Sequence, residues 1–313
     1  MLIRLGYACI SETLNNITSS STYTYTSYEK EKNNEKLENI IRNNLSSLEE
    51  ILKYNIKNEC HFYRLSSKLI PLATHSDVKF DYLDKFSYEY KNISNLINNN
   101  NLRVDFHPDQ FCVLNSIHKD VVDNSINILN YHYNLLKKMN VSNKILVLHI
   151  GGNTFGKEKS LLRFINNFNK LPNYLKNIIA IENDDKVFTI DDCLFLSEKL
   201  NIPIVLDYHH YICNKGDLDL FKNIESIFSS WKNINPKIHF SSPKSRLKKE
   251  IRSHHDYIDS DTFIDFIEKI KHLDYDVDIM IEAKKKDEAM FRLIRELKYK
   301  TNYKFIDSTT FIP

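Results

Sequence analysis

Residues Arg103–Ser116 read RVDFHPDQFCVLNS. Val104 and Phe106 alternate with polar neighbours as a strand does, yet the run then delivers His107, Pro108, Asp109, Gln110 and Phe111: an imidazole, a chain stiffener, two polar groups and a ring. Working outward, similar short β-branched or aromatic runs recur at Leu2–Gly6, His61–Leu65, Leu102–Phe106, Lys144–Leu148, Ile178–Ile181, Ile202–Leu206, Lys237–Phe240 and Asp278–Ile281. They give eight candidate strands. Between them lie segments with apolar residues at helical spacing, such as Leu37, Ile40, Ile41, Leu45, Leu48, Ile51 and Leu52, or Phe263, Phe266, Ile267 and Ile270.

Strands alternating with helices predict parallel βα units. Eight such units in 313 residues match the size of a (β/α)8 TIM barrel, and no Pro/Gly/Ser-rich linker divides the chain. The expectation is an α/β fold with one domain spanning 1–313. A doubly wound open sheet is the alternative, although no G-x-G-x-x-G or G-x-x-x-x-G-K-[ST] follows any run. The polar stretch SSSTYTYTSYEKEKNNEK after the first run carries tyrosines that argue for a packed or binding loop.

The 43 basic and 41 acidic residues leave a formal charge of +2, too balanced to announce a nucleic-acid partner, so any basic face must be local. No apolar run reaches the ~18 residues of a membrane span, and MLIRLGYACI lacks a signal-peptide pattern. The chain is read as cytoplasmic. Cys9, Cys60, Cys112, Cys193 and Cys213 are odd in number, widely spaced and never in CxxC pairs, which excludes a disulfide framework or thiolate zinc site and predicts free thiols. Abundant Asn, Lys and Ile beside only five Gly suggest A·T-rich coding, so asparagine patches carry little weight.

The ends of the runs are the informative positions. They deliver His107, His149 after ILVL, Glu182 in IAIENDD, Asp207, His209 and His210 in IPIVLDYHH, His239 in KIHFSS, and Glu282 in IMIEAK. In a parallel barrel all C-terminal strand ends share one face, so these scattered residues converge there. A lone His61, His118 or His132 reads as a surface or satisfied core residue. The strand-end set reads differently, because burying unpaired charge costs several kcal/mol. Histidine and carboxylate donors without cysteine suit Mn²⁺, Zn²⁺, Fe²⁺ or Co²⁺. The donors exceed the needs of one ion, which points to two or three sharing bridging carboxylates, an arrangement suited to phosphodiester hydrolysis.

The strings YRLSSKLIPLATH (63–75), FHPDQF (106–111), LHIGG (148–152), IENDD (181–185), LDYHH (206–210), KIHFSSPK (237–244), RSHHDYID (252–259) and IEAKKKD (281–287) together resemble the UV damage endonucleases. The likeness runs from LGYACI to IMIEAKKKDEAMFRL, and it implies a TIM barrel related to apurinic endonuclease IV. It implies incision immediately 5′ to a lesion, leaving a 3′-hydroxyl, at a three-metal site supplied with manganese. By motif, His107, His149 and Glu182 would hold one ion, Glu182, Asp207, His239 and Glu282 a second, and His210 and His254 a third. Lys237 would be either a carboxylated ligand or a phosphate-binding ammonium. Gln110 and Phe111 resemble a pair that probes the duplex at damage, unless Phe111 packs under its loop.

The resemblance further implies that Tyr7 stacks on flipped bases, and that His75 positions the phosphate or the attacking water. The family's asparagine beyond the aromatic is missing; Ser11, Asn15 and Asn16 stand nearby. Lys244, Arg246, Lys248 and Lys249 form a basic run suited to the DNA backbone. The implied partner is damaged double-stranded DNA, placing the chain at the nucleoid when bound, with no obligate protein partner and a monomeric state. An apurinic endonuclease IV-like enzyme, a metal-dependent sugar isomerase on the same barrel, and a non-cutting sensor of DNA distortion are the competing readings.

Overall fold

The computed structural model describes residues 1–245, 247 and 250–313. Its eight parallel strands are β1 (Ile3–Ala8), β2 (Phe62–Leu65), β3 (Arg103–Phe106), β4 (Leu146–His149), β5 (Ile179–Glu182), β6 (Ile204–Asp207), β7 (Lys237–Phe240) and β8 (Val277–Ile281). Each pairs with the next, β8 pairs with β1 from Ile3↔Val277 to Tyr7↔Ile281, and β1 closes onto β2 at Tyr7↔Tyr63. Helices fill the crossovers, including Asn34–Lys57, Lys119–Lys138 and Ser260–Ile270. This is the expected (β/α)8 barrel.

One element was not expected. Two short strands, β9 (Lys304–Phe305) and β10 (Thr310–Ile312), form an antiparallel flap, and β10 pairs with the N-terminal half of β1 at Ile3↔Phe311 and Arg4↔Thr310. Because β1 meets β2 only at its C-terminal end, β10 supplies partners to the free half. The tyrosine-bearing loop after β1 is packed as the sequence predicted: Tyr23 is buried, and its ring meets Tyr28 edge-on.

Side chains alternate across the barrel wall. Along β1, Ile3, Leu5 and Tyr7 join the large core shared with the helices, whereas Ala8 packs with Phe62 and Met280 in a separate cluster inside the barrel. Gly6 is required by crowding, because a Cβ there would stand 2.3 Å from the Phe62 carbonyl oxygen. Ile145, Val147, Ala180 and Val205 pack with Trp231 in a further cluster.

The remaining inward positions are charged and paired. Asp278, fully buried, accepts from Arg4 Nε and Arg103 Nη1, each at 2.6 Å, while the Arg103 guanidinium lies over Phe62 and Trp231. Lys237 donates to Asp105 at 2.7 Å, both side chains fully buried. No helix among the described residues is long and apolar enough to cross a membrane.

Candidate metal centre

The last inward position of several strands is a donor, so pairing in register makes them neighbours: His149↔Glu182 across β4 and β5, Asp207↔His239 across β6 and β7. Three groups result, each with ligand atoms within 4.8 Å of one another: His107, His149 and Glu182; Glu182, Asp207 and His210; Asp207, His239 and Glu282. Glu182 is shared by the first two and Asp207 by the last two. The expected bridging carboxylates are therefore present as geometry. One grouping differs from expectation, since His210 joins Glu182 and Asp207, while His254 borders it with ring centroids 6.5 Å apart.

Glu182 lies at the centre. Its Oε2 is 2.7 Å from His107 Nε2 and 3.7 Å from His149 Nε2, and its Oε1 is 2.6 Å from His239 Nδ1. Burial alone would raise its pKa, but the imidazoles of His239, His149 and His107 outweigh that and hold the carboxyl well below the usual range. Glu282 is likewise held low against burial by Arg64 and His239. Burial pushes Asp207 up to about 8 against the pull of His210, with Glu182 and Glu282 adding to the rise. Burial would lower His210, but Asp207 and Glu182 bring it up to about 9.

Supporting contacts orient the donors. Asn183 bonds both backbone groups of Asp207, accepting from its N–H and donating to its carbonyl, each at 2.9 Å. Asp207 Oδ1 then accepts from the His210 N–H, which sets the short helix Tyr208–Cys213. Arg64 donates to His239 Nε2 at 2.7 Å and Glu282 Oε1 at 2.5 Å. Its position on β2, flanked by apolar residues, was visible in the sequence, but no role attached to it.

The donors fit divalent cations. Asp207 Oδ2 and His149 Nδ1 are buried without a hydrogen-bond partner among the described residues. A buried carboxylate oxygen left in that state costs several kcal/mol unless a cation takes it.

One expectation is corrected. Tyr7 is fully buried on the outer face of β1; its OH donates to Asn55 at 2.6 Å and its ring meets Tyr63 edge-on, so it has no face for a base. Lys237 points inward with His239 but sits one layer below, where Asp105 takes its ammonium. Burial pulls it down to about 8 while Asp105 opposes the fall. His75 joins none of the donor groups; its ring is stacked on Tyr25 with centroids 3.8 Å apart.

Phe111 is 68% exposed beside exposed Gln110, at the tip of the loop after β3, where the Phe111 N–H donates to Asp109 Oδ1. It does not pack under the loop. Ser11 is buried and donates to Asp287, which leaves exposed Asn15 and Asn16 as the amides on that surface. Within the basic run, Lys244 pairs with Glu250 at 2.9 Å, while Arg246, Lys248 and Lys249 lie outside the described residues. The cysteines are free.

Fold and donor set define a (β/α)8 barrel protein equipped to hold clustered divalent cations at the C-terminal ends of its strands. The family model described as UV-endonuclease UvdE matches residues 3–310. A UV DNA damage endonuclease from Bacillus mycoides (strain KBAB4) is 41% identical over 316 residues, covering 99% of each chain. The crystal structure of SacUVDE superposes with a TM-score of 0.87 at 33% identity, covering 95% of this chain and 98% of that one. Endonuclease IV from Thermus thermophilus shares the fold, with a TM-score of 0.56 at 11% identity over 95% of this chain and 100% of its own. The chain belongs to the UV-endonuclease UvdE family. It is therefore an endonuclease of damaged DNA.

Proposed function

We propose that the protein cuts the phosphodiester immediately 5′ to cyclobutane pyrimidine dimers and (6-4) photoproducts, with abasic sites as a further substrate, and leaves a 3′-hydroxyl. The observation that carries this reading is the chain of three donor groups joined through Glu182 and Asp207. His107, His149 and Glu182 would hold one divalent ion, Glu182, Asp207 and His210 a second, and Asp207, His239 and Glu282 a third, with His254 beside His210. Mn²⁺ suits this oxygen and imidazole set. When bound, such ions supply a hydroxide nucleophile at neutral pH and neutralise charge on the phosphoryl oxygens.

The protein's own residues do the rest. Asn183 and Arg64 keep Asp207, His239 and Glu282 aimed at one volume. Gln110 and Phe111 enter the duplex where it is distorted and replace lost pairing and stacking. Extrusion costs a few kcal/mol, least where a lesion has already weakened the stack, so damage is read as deformability. His75, stacked on Tyr25, meets phosphate, as do the lysines and arginine of 244–249. Lys237 acts from below as the ammonium partner of Asp105. Intact-mass measurement under native conditions decides that point, since a carboxylated lysine would appear as one added CO2. The partner is duplex DNA, met by a monomer at the nucleoid.

The test separates cutting from binding. Glu182→Gln and Glu282→Gln should bind a dimer-containing duplex within a few-fold of wild type while losing roughly 100-fold or more in incision rate. Equal loss of binding and incision would contradict the assignment of these carboxylates to turnover.

A further inference from the structure

The loop after β4 reads GGNTFG (151–156), and it carries a second ring whose exposure is as marked as that of Phe111. Phe155 is 71% exposed and has φ +63°. That backbone region is disfavoured for any residue with a Cβ and is worth noting for a bulky one. Strain of this kind persists where the surroundings over-determine it and clusters at functional sites. The residues leading into it are held in place. Asn115, at the end of the Phe111 loop, donates to the Gly152 carbonyl at 2.7 Å and accepts from the Gly152 N–H at 2.9 Å. Arg163 donates to the carbonyls of Asn115 and Thr154, and Asn167 to that of Leu114. Gly151 is pressed against this brace: a Cβ there would lie 2.4 Å from Asn115 Oδ1.

Two rings thus stand on two loops that are stitched together, each loop beginning at a donor of the first metal group, His107 and His149, whose ring centroids are 5.0 Å apart. We propose that Phe155 is a second aromatic contact of the DNA surface, set to stack on a base bared at the distorted step. The inference rests on the proposed reading of Phe111, and duplex DNA is the occupant because both rings belong to one braced rim beside the same donors. A freely moving loop would lose entropy on ordering at the duplex; a braced one has little left to lose.

The test is Phe155→Gly beside Phe155→Trp, with Phe111→Ala as reference, measured for Tm and for affinity toward duplexes with and without one cyclobutane dimer. Glycine removes the ring and accepts φ +63° freely, so F155G should keep or raise Tm while weakening dimer-duplex binding roughly ten-fold. F155W should bind as wild type does. A packing role would lower Tm in F155G, and together with unchanged affinity that result overturns the proposal. Should wild type bind both duplexes alike, the UV-damage reading fails, yet F155G against wild type on plain duplex still decides the ring: weaker binding sustains it, equal binding refutes it.

Discussion

His132 shows how a single buried imidazole imposes a pH limit on the barrel. Its Nδ1 is 2.8 Å from the Ile128 carbonyl, its ring packs on Phe106 and Tyr131, and burial pulls its pKa down to about 4. The unfolded chain titrates near 6.5, so on acidification the unfolded state takes up the proton first. The stabilisation is complete above about pH 6.5 and is lost as pH falls toward 4. Wild type should therefore lose up to about 3 kcal/mol more than His132→Phe between those limits, as urea unfolding at stepped pH would show. Parallel curves for the two proteins would mean that His132 is not kept neutral by burial. The sequence classed His132 as surface or satisfied core, and it is core.

At the scale of strands, parity decides what can touch what. Ile3, Leu5 and Tyr7 alternate with Arg4, Gly6 and Ala8, so the pattern along β1 already assigned Tyr7 to the helix side; placing it among the DNA contacts overrode that alternation. Lys237 and His239 are two residues apart on one strand. They share a face but are offset by about 6.6 Å along it, which puts the lysine below the donors and against Asp105. The strand-end donors were legible because apolar runs of fixed length stop at them. The β9–β10 flap was not, because a strand of two or three residues has no period to detect, and Phe155 was missed because an exposed ring in a glycine-bearing loop has no periodic signal. The floor of the barrel offers a test at this scale. Asp278 neutralises Arg4 and Arg103 from β8, so Asp278→Ala leaves two guanidiniums without it and should cost about 3–5 kcal/mol in urea unfolding. A change under about 1 kcal/mol would mean water satisfies those groups.

For the whole molecule, a closed parallel sheet brings the ends of distant segments to one rim, and that rim holds the donor groups, the Gln110–Phe111 tip and the braced Phe155 loop together. The central claim is that this assembly hydrolyses the backbone beside damage with the help of divalent ions. The most direct measurement is incision of an end-labelled duplex carrying one cyclobutane pyrimidine dimer, with Mn²⁺ and with EDTA, beside undamaged and abasic duplexes. A single cut immediately 5′ of the dimer, abolished by EDTA and absent from the undamaged duplex, is the predicted result. Cleavage that persists in EDTA, or that appears at the abasic site and never at the dimer, would contradict it.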